Sequence, residues 1–388
     1  MVQVYLRSNK IPLFLLGIVA FLLFSLNACK EDDNEDPVAP STPSTPHSPS
    51  PYVLDLPPHL APFSYTIPED NPITVEGVAL GKKLFFERKL SINNQLSCGS
   101  CHQPQGAFAD PGMKVSLGAQ GQQGVRNAMS IFNVLWSEKP SLGFNWNRSA
   151  TSLEEQALDP VTHPLEMMET WSNVVGKLQN DPRYPPMFNA AFGTTTIDSN
   201  LVVKAIAQFE RTLVSGSSRV DDYMIAVATD NSPNPPELRD YLTAQEVRGF
   251  NIYVSTAKGD CFHCHGNVNL NNPLWTDFEF RNNGLDINPD SGLASVTKDP
   301  NDLGKFKTPS LRNLVFTAPY MHDGRFQTLE EVVEFYSTGV KDTPYTDPLM
   351  EDRGSLIANL TTQEKADLVA FLRTITDSTF VQNPDFRP

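Results

Sequence analysis

Cys98-Gly99-Ser100-Cys101-His102 and Cys261-Phe262-His263-Cys264-His265 are two copies of one five-residue word, Cys-x-x-Cys-His, and they use four of the five cysteines in the chain. The word is the attachment signature of a c-type haem. Two thiols bond the vinyl groups of one porphyrin, and the adjacent histidine ligates its iron. Two disulfides, or one four-thiolate zinc site, would use the same cysteines. Neither accounts for a histidine after the second cysteine both times. The sequence therefore predicts two covalently bound haem c groups, one on Cys98, Cys101 and His102, the other on Cys261, Cys264 and His265.

The fifth cysteine lies near the start. Arg7 and Lys10 precede an apolar run from Ile11 to Leu26, and Leu26-Asn27-Ala28-Cys29 resembles a bacterial lipobox. Cleavage there makes 1–28 a lipoprotein signal peptide and Cys29 the lipidated residue. A plain transmembrane helix needs a longer apolar stretch. Lys30-Glu31-Asp32-Asp33 is either an acidic surface-export tag or a solvated charge run. Residues 29–58 read as a disordered linker, rich in Pro, Ser and Thr from Pro37 onward. These features predict a cell-envelope lipoprotein, anchored to the outer membrane and facing the periplasm or the surface. A net charge of -15 argues against nucleic acid and is compatible with a basic electron-donor protein.

The two words stand 163 positions apart, one in each half of the remaining chain. Helical signals dominate. Trp171, Val174, Val175 and Leu178 follow the i, i+3, i+4, i+7 rule, as do Leu368, Phe371, Leu372 and Ile375. Capping boxes pair Thr151 with Glu154, Thr243 with Glu246, Thr328 with Glu331 and Thr361 with Glu364. No sustained alternating strand pattern occurs. Asp230 to Pro236 breaks any helix and divides the halves. The expected fold is all-α: two cytochrome c-like haem domains with long loops, an N-terminal one over 59–230 and a C-terminal electron-transfer one over 237–388.

What faces His102 and His265 decides the chemistry. A haem with two strong protein ligands transfers electrons, whereas one with an open face binds peroxide or oxygen. Here the chain resembles a known family, the bacterial diheme cytochrome c peroxidases and their relative MauG, from about Asn71 to Thr338. The resemblance rests on words in order around the haem sites: Gly81-Lys82-Lys83-Leu84-Phe85-Phe86, Arg126-Asn127-Ala128, Leu153-Glu154-Glu155-Gln156-Ala157 and His163-Pro164-Leu165-Glu166-Met167. The stretch Ala205 to Leu213 then closes the first half. Phe306 to Asn313 and Thr317 to Arg325 follow in the second.

The resemblance implies that the first haem is the peroxidatic one. Typical members cap its distal face with a histidine, where this chain has Ala119. An open distal face at rest is expected, with Met113 as the alternative cap. Glu166 matches the family's proton-handling carboxylate, Gln156 its hydrogen-bonding neighbour, Pro160 a pocket-shaping residue, and Trp146 a tryptophan between the haems that can relay an electron hole. At the second haem, aligning His322-Asp323-Gly324 without gaps puts Tyr336 where typical members carry a methionine and MauG-type members a tyrosine. Tyr336 shares a helical face with Val332 and Val333, and Met321 or Met350 are the alternative ligands. A phenolate favours ferric and higher states, a thioether ferrous iron. The family also holds one calcium ion, matched here by the Asn127 side chain and the Thr317 and Pro319 carbonyls. His59, His163 and His263 receive no ligand role, and His263 reads as a solvent-edge residue.

The leading expectation is an oxidoreductase of the cytochrome c peroxidase type, reducing hydrogen peroxide with electrons from a small cytochrome c or similar donor. A MauG-like oxidase acting on residues of a partner protein is the second reading. A non-catalytic electron-transfer cytochrome is the third.

Overall fold

The computed structural model describes residues 47–139, 141–266, 272–351 and 358–388. The expected signal peptide, Cys29 and most of the linker lie outside the described residues. The helices among the described residues are α1 (Val75–Phe85), α2 (Cys98–Cys101), α3 (Leu153–Thr162), α4 (Trp171–Gln179), α5 (Tyr184–Phe192), α6 (Ser199–Glu210), α7 (Arg219–Thr229), α8 (Ala244–Tyr253), α9 (Phe262–His265), α10 (Ala294–Thr297), α11 (Leu329–Glu334), α12 (Thr362–Arg373) and α13 (Ser378–Gln382). The one sheet among the described residues is a two-residue antiparallel pair, β1 (Phe280–Arg281) and β2 (Phe306–Lys307).

Thr243, Thr328 and Thr361 cap α8, α11 and α12, each with its glutamate reaching back. The box expected at Thr151 and Glu154 is shifted by one residue. Ser152 accepts from the Glu155 N–H, and the Glu155 carboxylate accepts from the Thr151 N–H at 2.7 Å. Glu154 is drawn instead to the Arg211 guanidinium at 2.8 Å, a charge-assisted contact stronger than an exposed capping bond.

Two apolar cores are built on the same plan. In the first, α1 crosses α6 at Gly81, where a Cβ would stand 1.9 Å from the Ala205 carbonyl oxygen. In the second, α8 crosses α12 at Gly249, where a Cβ would stand 2.0 Å from the Asp367 carbonyl oxygen. Only glycine allows backbones to approach this closely. Each pair joins the helix before a Cys-x-x-Cys-His word to a helix late in the same half. Leu80, Leu84, Phe85, Val202, Ile206 and Phe209 fill the first core. Ile252, Tyr253, Trp275, Leu368, Phe371 and Leu372 fill the second.

Each core also borrows from the other half. Val220 and Met224 of α7 pack in the second core, and Phe380 and Val381 of α13 return to the first. Val220 and Met224 thus join the second core although they precede the break expected at 230–236, because the apolar face of α7 finds its complement among the second-core side chains. Residues 50–58, read from composition as linker, lie against the fold. Ser50 donates from its N–H and its hydroxyl to the Glu76 carboxylate, and the Tyr52 N–H bonds the Ile73 carbonyl. Leu54 and Leu56 pack beside Leu60 and Trp136. Two leucines in a proline-rich stretch are enough apolar surface to hold it down. His59, given no role from sequence, lies fully buried 2.9 Å from Asp221, which Arg312 also grips through two bonds of 2.6 and 2.7 Å. Buried charges persist when paired in this way.

Candidate haem-binding active site

Both words open on one cavity of about 720 Å³ lined by residues of both halves. Native interiors hold few voids larger than a water molecule, so this is a binding space and not a packing defect. In the first word, one turn of helix sets Cys98 and Cys101 three apart on the same side, and the His102 N–H bonds the Cys98 carbonyl at 2.9 Å. Gly99 lets that turn lie on the Phe86 ring, since a Cβ would come within 2.4 Å of it. In the second word, α9 repeats the spacing, and Gly266, with φ of 70°, ends the turn.

The two histidines are prepared as ligands in the same way. His102 Nδ1 stands 2.9 Å from the Phe108 carbonyl oxygen, and His265 Nδ1 3.4 Å from that of Trp275. A carbonyl only accepts, so each ring carries its proton on Nδ1 and keeps the Nε2 lone pair available. Burial pushes both imidazoles below their ordinary range and keeps them neutral. Cys98, Cys101 and Cys264 form no disulfide. Among the described residues no group of three or more His, Cys, Asp and Glu converges to hold a metal ion. Separated thiol pairs, each with a neutral imidazole on a shared cavity wall, fit two c-type haems and do not fit a four-thiolate zinc centre.

Gln156, Pro160, His163 and Glu166 line the cavity wall on the first-half side. Gln156 and Pro160 are one turn apart on α3, so they share a face. The helix ends at Thr162, and the Glu166 N–H closes the following turn on the His163 carbonyl at 3.0 Å. The Glu166 side chain is 46% exposed, and the chain around it desolvates the carboxyl enough to push it above the ordinary range; His163 opposes this and Asp159 reinforces it. His163 Nδ1 stands 3.6 Å from the Glu166 carboxylate, so an imidazole that sequence reasoning left without a role borders the proposed proton carrier. The loop with Ala119 is fastened to the same turn: the Ala119 N–H bonds the Glu166 carbonyl at 2.7 Å, and Gln122 donates to the Pro164 carbonyl at 2.9 Å. Ala119 is not on the cavity wall, and Met113 is exposed.

On the second-half side, Tyr336, Met321 and Met350 all line the cavity. Tyr336 sits in a π-turn, Phe335–Gly339, that continues α11. Such turns widen the helix and often occur at functional sites. Burial pushes the Tyr336 hydroxyl up to about 12, partly offset by the Asn283 amide, which donates to it at 3.0 Å.

Trp146 also lines the cavity. Its indole N–H bonds the Asn127 carbonyl at 2.8 Å, its own carbonyl accepts from the Lys307 N–H at 2.9 Å, and its ring meets His322 and Phe306 edge-on. It therefore touches both halves. Asn127, Thr317 and Pro319 line the same cavity. The Asn127 amide donates to the Met113 and Lys114 carbonyls, which leaves its oxygen as the atom available to a cation.

Several wall residues had no assigned role from sequence, although they lie inside the quoted words. Glu210 is buried, its Oε2 lacks a hydrogen-bond partner among the described residues, and burial pushes its carboxyl up to about 8. Its neighbour Arg211 turns away to Glu138 and Glu154. Lys307 is buried with its ammonium on the Leu142 and Gly143 carbonyls, both at 2.9 Å. His263, expected at the solvent edge, is half-buried 2.9 Å from Asp260.

Residues 75–229 match the family model of the di-haem cytochrome c peroxidases. The methylamine utilization protein MauG of Methylophilus methylotrophus is 32% identical over 318 residues, covering 81% of this chain and 86% of that one. The cytochrome c551 peroxidase of Nitrosomonas europaea is 30% identical over 322 residues, covering 82% and 84%. Among solved structures, a MauG-like protein associated with microbial copper homeostasis superposes with a TM-score of 0.73 at 35% identity, over 87% of this chain and 99% of that one. The diheme peroxidase BthA of Burkholderia thailandensis gives 0.66 at 26% identity, over 82% and 90%. The chain belongs to the di-haem cytochrome c peroxidase and MauG family, whose members carry two c-type haems. No helix among the described residues is long and apolar enough to cross a membrane.

Proposed function

We propose that the protein is a diheme cytochrome c peroxidase that reduces hydrogen peroxide to water with two electrons from an external donor such as a small cytochrome c. The observation that carries this reading is the wall facing the first word. Glu166, Gln156 and Pro160 share the cavity with Cys98, Cys101 and His102, while Ala119 lies off the wall and Met113 is exposed. When bound, the two haems supply an iron site for peroxide and a store for oxidising equivalents.

Cys98, Cys101 and His102 hold the first haem, and Cys261, Cys264 and His265 the second. Glu166 takes a proton from the inner oxygen of peroxide and returns it to the outer one as the O–O bond breaks. A carboxyl held above its ordinary range is suited to both halves of that transfer. Gln156 orients the bound peroxide through its side-chain amide. Trp146 relays an oxidising equivalent between the halves, a role consistent with its contacts to both. Tyr336 would hold the second haem's iron together with His265. The Asn127 side chain and the Thr317 and Pro319 carbonyls would hold a calcium ion. Cys29 carries the lipid anchor that tethers the protein to the cell envelope.

A MauG-like oxidation of partner-protein residues is the second reading, favoured by a tyrosine on the second-haem wall. The ferric protein's EPR spectrum tests the shared core of both: one high-spin and one low-spin haem are expected. Two low-spin haems and no reaction with peroxide would leave an electron-transfer cytochrome. Rapid turnover with reduced cytochrome c supports the peroxidase. A long-lived oxidised state discharged only by a partner protein supports the MauG-like role.

A further inference from the structure

Three side chains able to face the second iron crowd one sector of the cavity, so something must choose among them. Asn283 stands between two of these candidates. Its Nδ2 lies 3.0 Å from the Tyr336 oxygen and 3.8 Å from the Met321 sulfur. The first is a full hydrogen bond. The second is at the long limit and ends on a weak acceptor.

The amide is rigidly presented. The Asn282 side chain accepts from the Gly284 N–H at 2.9 Å and donates to the Leu303 carbonyl at 3.1 Å, and the Asn282 carbonyl accepts from Asp347 at 2.8 Å. Gly284, with φ of 69°, accepts from the Lys341 N–H at 2.8 Å, and a Cβ on it would stand 2.6 Å from the Lys341 carbonyl oxygen. That contact ties the Asn283 turn to the chain just beyond the π-turn. The π-turn is itself fastened, since the Ser337 carbonyl accepts from the Asn359 N–H at 2.8 Å and its hydroxyl from the Leu360 N–H at 2.9 Å. Donor and phenol are thus held from both sides by backbone bonds.

We propose that the Asn283 side-chain amide is a positioning residue that makes Tyr336, and not the neighbouring Met321, the distal ligand of the second haem. A hydrogen bond to an oxygen strengthens when that oxygen becomes anionic. The amide therefore favours a phenolate far more than it favours a neutral thioether. The inference rests on the reading that Tyr336 is that ligand.

The test uses the full-length holoprotein, read on samples carrying two haems per chain, by resonance Raman and near-infrared spectroscopy. The wild type is expected to show iron–phenolate modes. Asn283→Leu and Asn283→Asp keep the side chain's shape and remove the N–H donor. Both should lose the phenolate modes, gain a sulfur-to-iron band and raise the second haem's reduction potential. Met321→Leu should abolish that band in either background and leave the wild-type spectrum unchanged. Asn283→Gln, which keeps an amide, should restore the phenolate modes at least in part. Phenolate modes that survive both Leu and Asp overturn the role of Asn283 and spare the Tyr336 assignment. A sulfur band that survives Met321→Leu overturns the part given to Met321. A wild type without phenolate modes overturns the ligand assignment itself.

Discussion

His102 and His265 each hold Nδ1 on a backbone carbonyl, at 2.9 and 3.4 Å, and each follows a helical turn carrying two cysteines three apart. The cavity lining differs between the two halves. The first half contributes Glu166, Gln156 and His163, groups able to move protons. The second contributes Tyr336, Met321 and Met350, groups able to ligate iron. On the proposed reading the same attachment chemistry serves two roles, and the remaining lining assigns them. The helix pairs beneath each cross at a glycine, so the difference does not lie in those crossings.

The largest effect that would break this comparison is at Glu166. Glu166→Gln should lower peroxide turnover by about 100- to 10,000-fold, the usual worth of general acid–base help, with both haems still attached and the second haem's spectrum unchanged. Steady-state turnover with a reduced cytochrome measures it, and an unaltered rate removes Glu166 from the chemistry. Next is Tyr336→Phe. It should abolish the iron–phenolate modes of the second haem and, with Met321 free to take the iron, give the sulfur-to-iron band, while the first-haem signal stays as it was. A second-haem spectrum identical to that of the wild type would pass the ligand role to Met321 or Met350.

The smallest effect concerns Glu210, which has no counterpart in the second core's account. Its carboxyl is pushed from an ordinary 4.5 up to about 8. Between those values the folded chain keeps a proton that the unfolded chain has lost. The site's contribution is therefore full below about pH 4.5 and declines as pH rises to about 8. Glu210→Gln should stabilise the protein by on the order of 2 kcal/mol above pH 8 and by little at pH 4. Thermal melts at the two pH values would show it, and an equal shift at both would mean that the carboxyl does not titrate in this window.

The local words were legible in the sequence. The two haem words and three of the four capping boxes depend on neighbours within a few residues. Gln156, Glu166, Trp146 and Tyr336 were singled out by the family resemblance, and the structure places all four on the cavity lining. The shifted cap at Ser152 shows where local reading fails: Arg211, more than fifty residues away, draws Glu154 out of the box. Residues 50–58 and α7 show the same failure at larger scale, since composition cannot reveal which distant surface will cover Leu54, Leu56, Val220 or Met224.

The sequence by itself determined that two Cys-x-x-Cys-His words are present, one in each half, because thiol spacing and residue identity are local properties. The tertiary structure alone decided that the Ala119 N–H meets the Glu166 carbonyl, that Asn283 reaches Tyr336 across 53 positions, and that Trp146 joins both halves. Those pairings arise when two helix-crossing cores close on a shared cavity, and no local pattern along the chain records which walls will face each other.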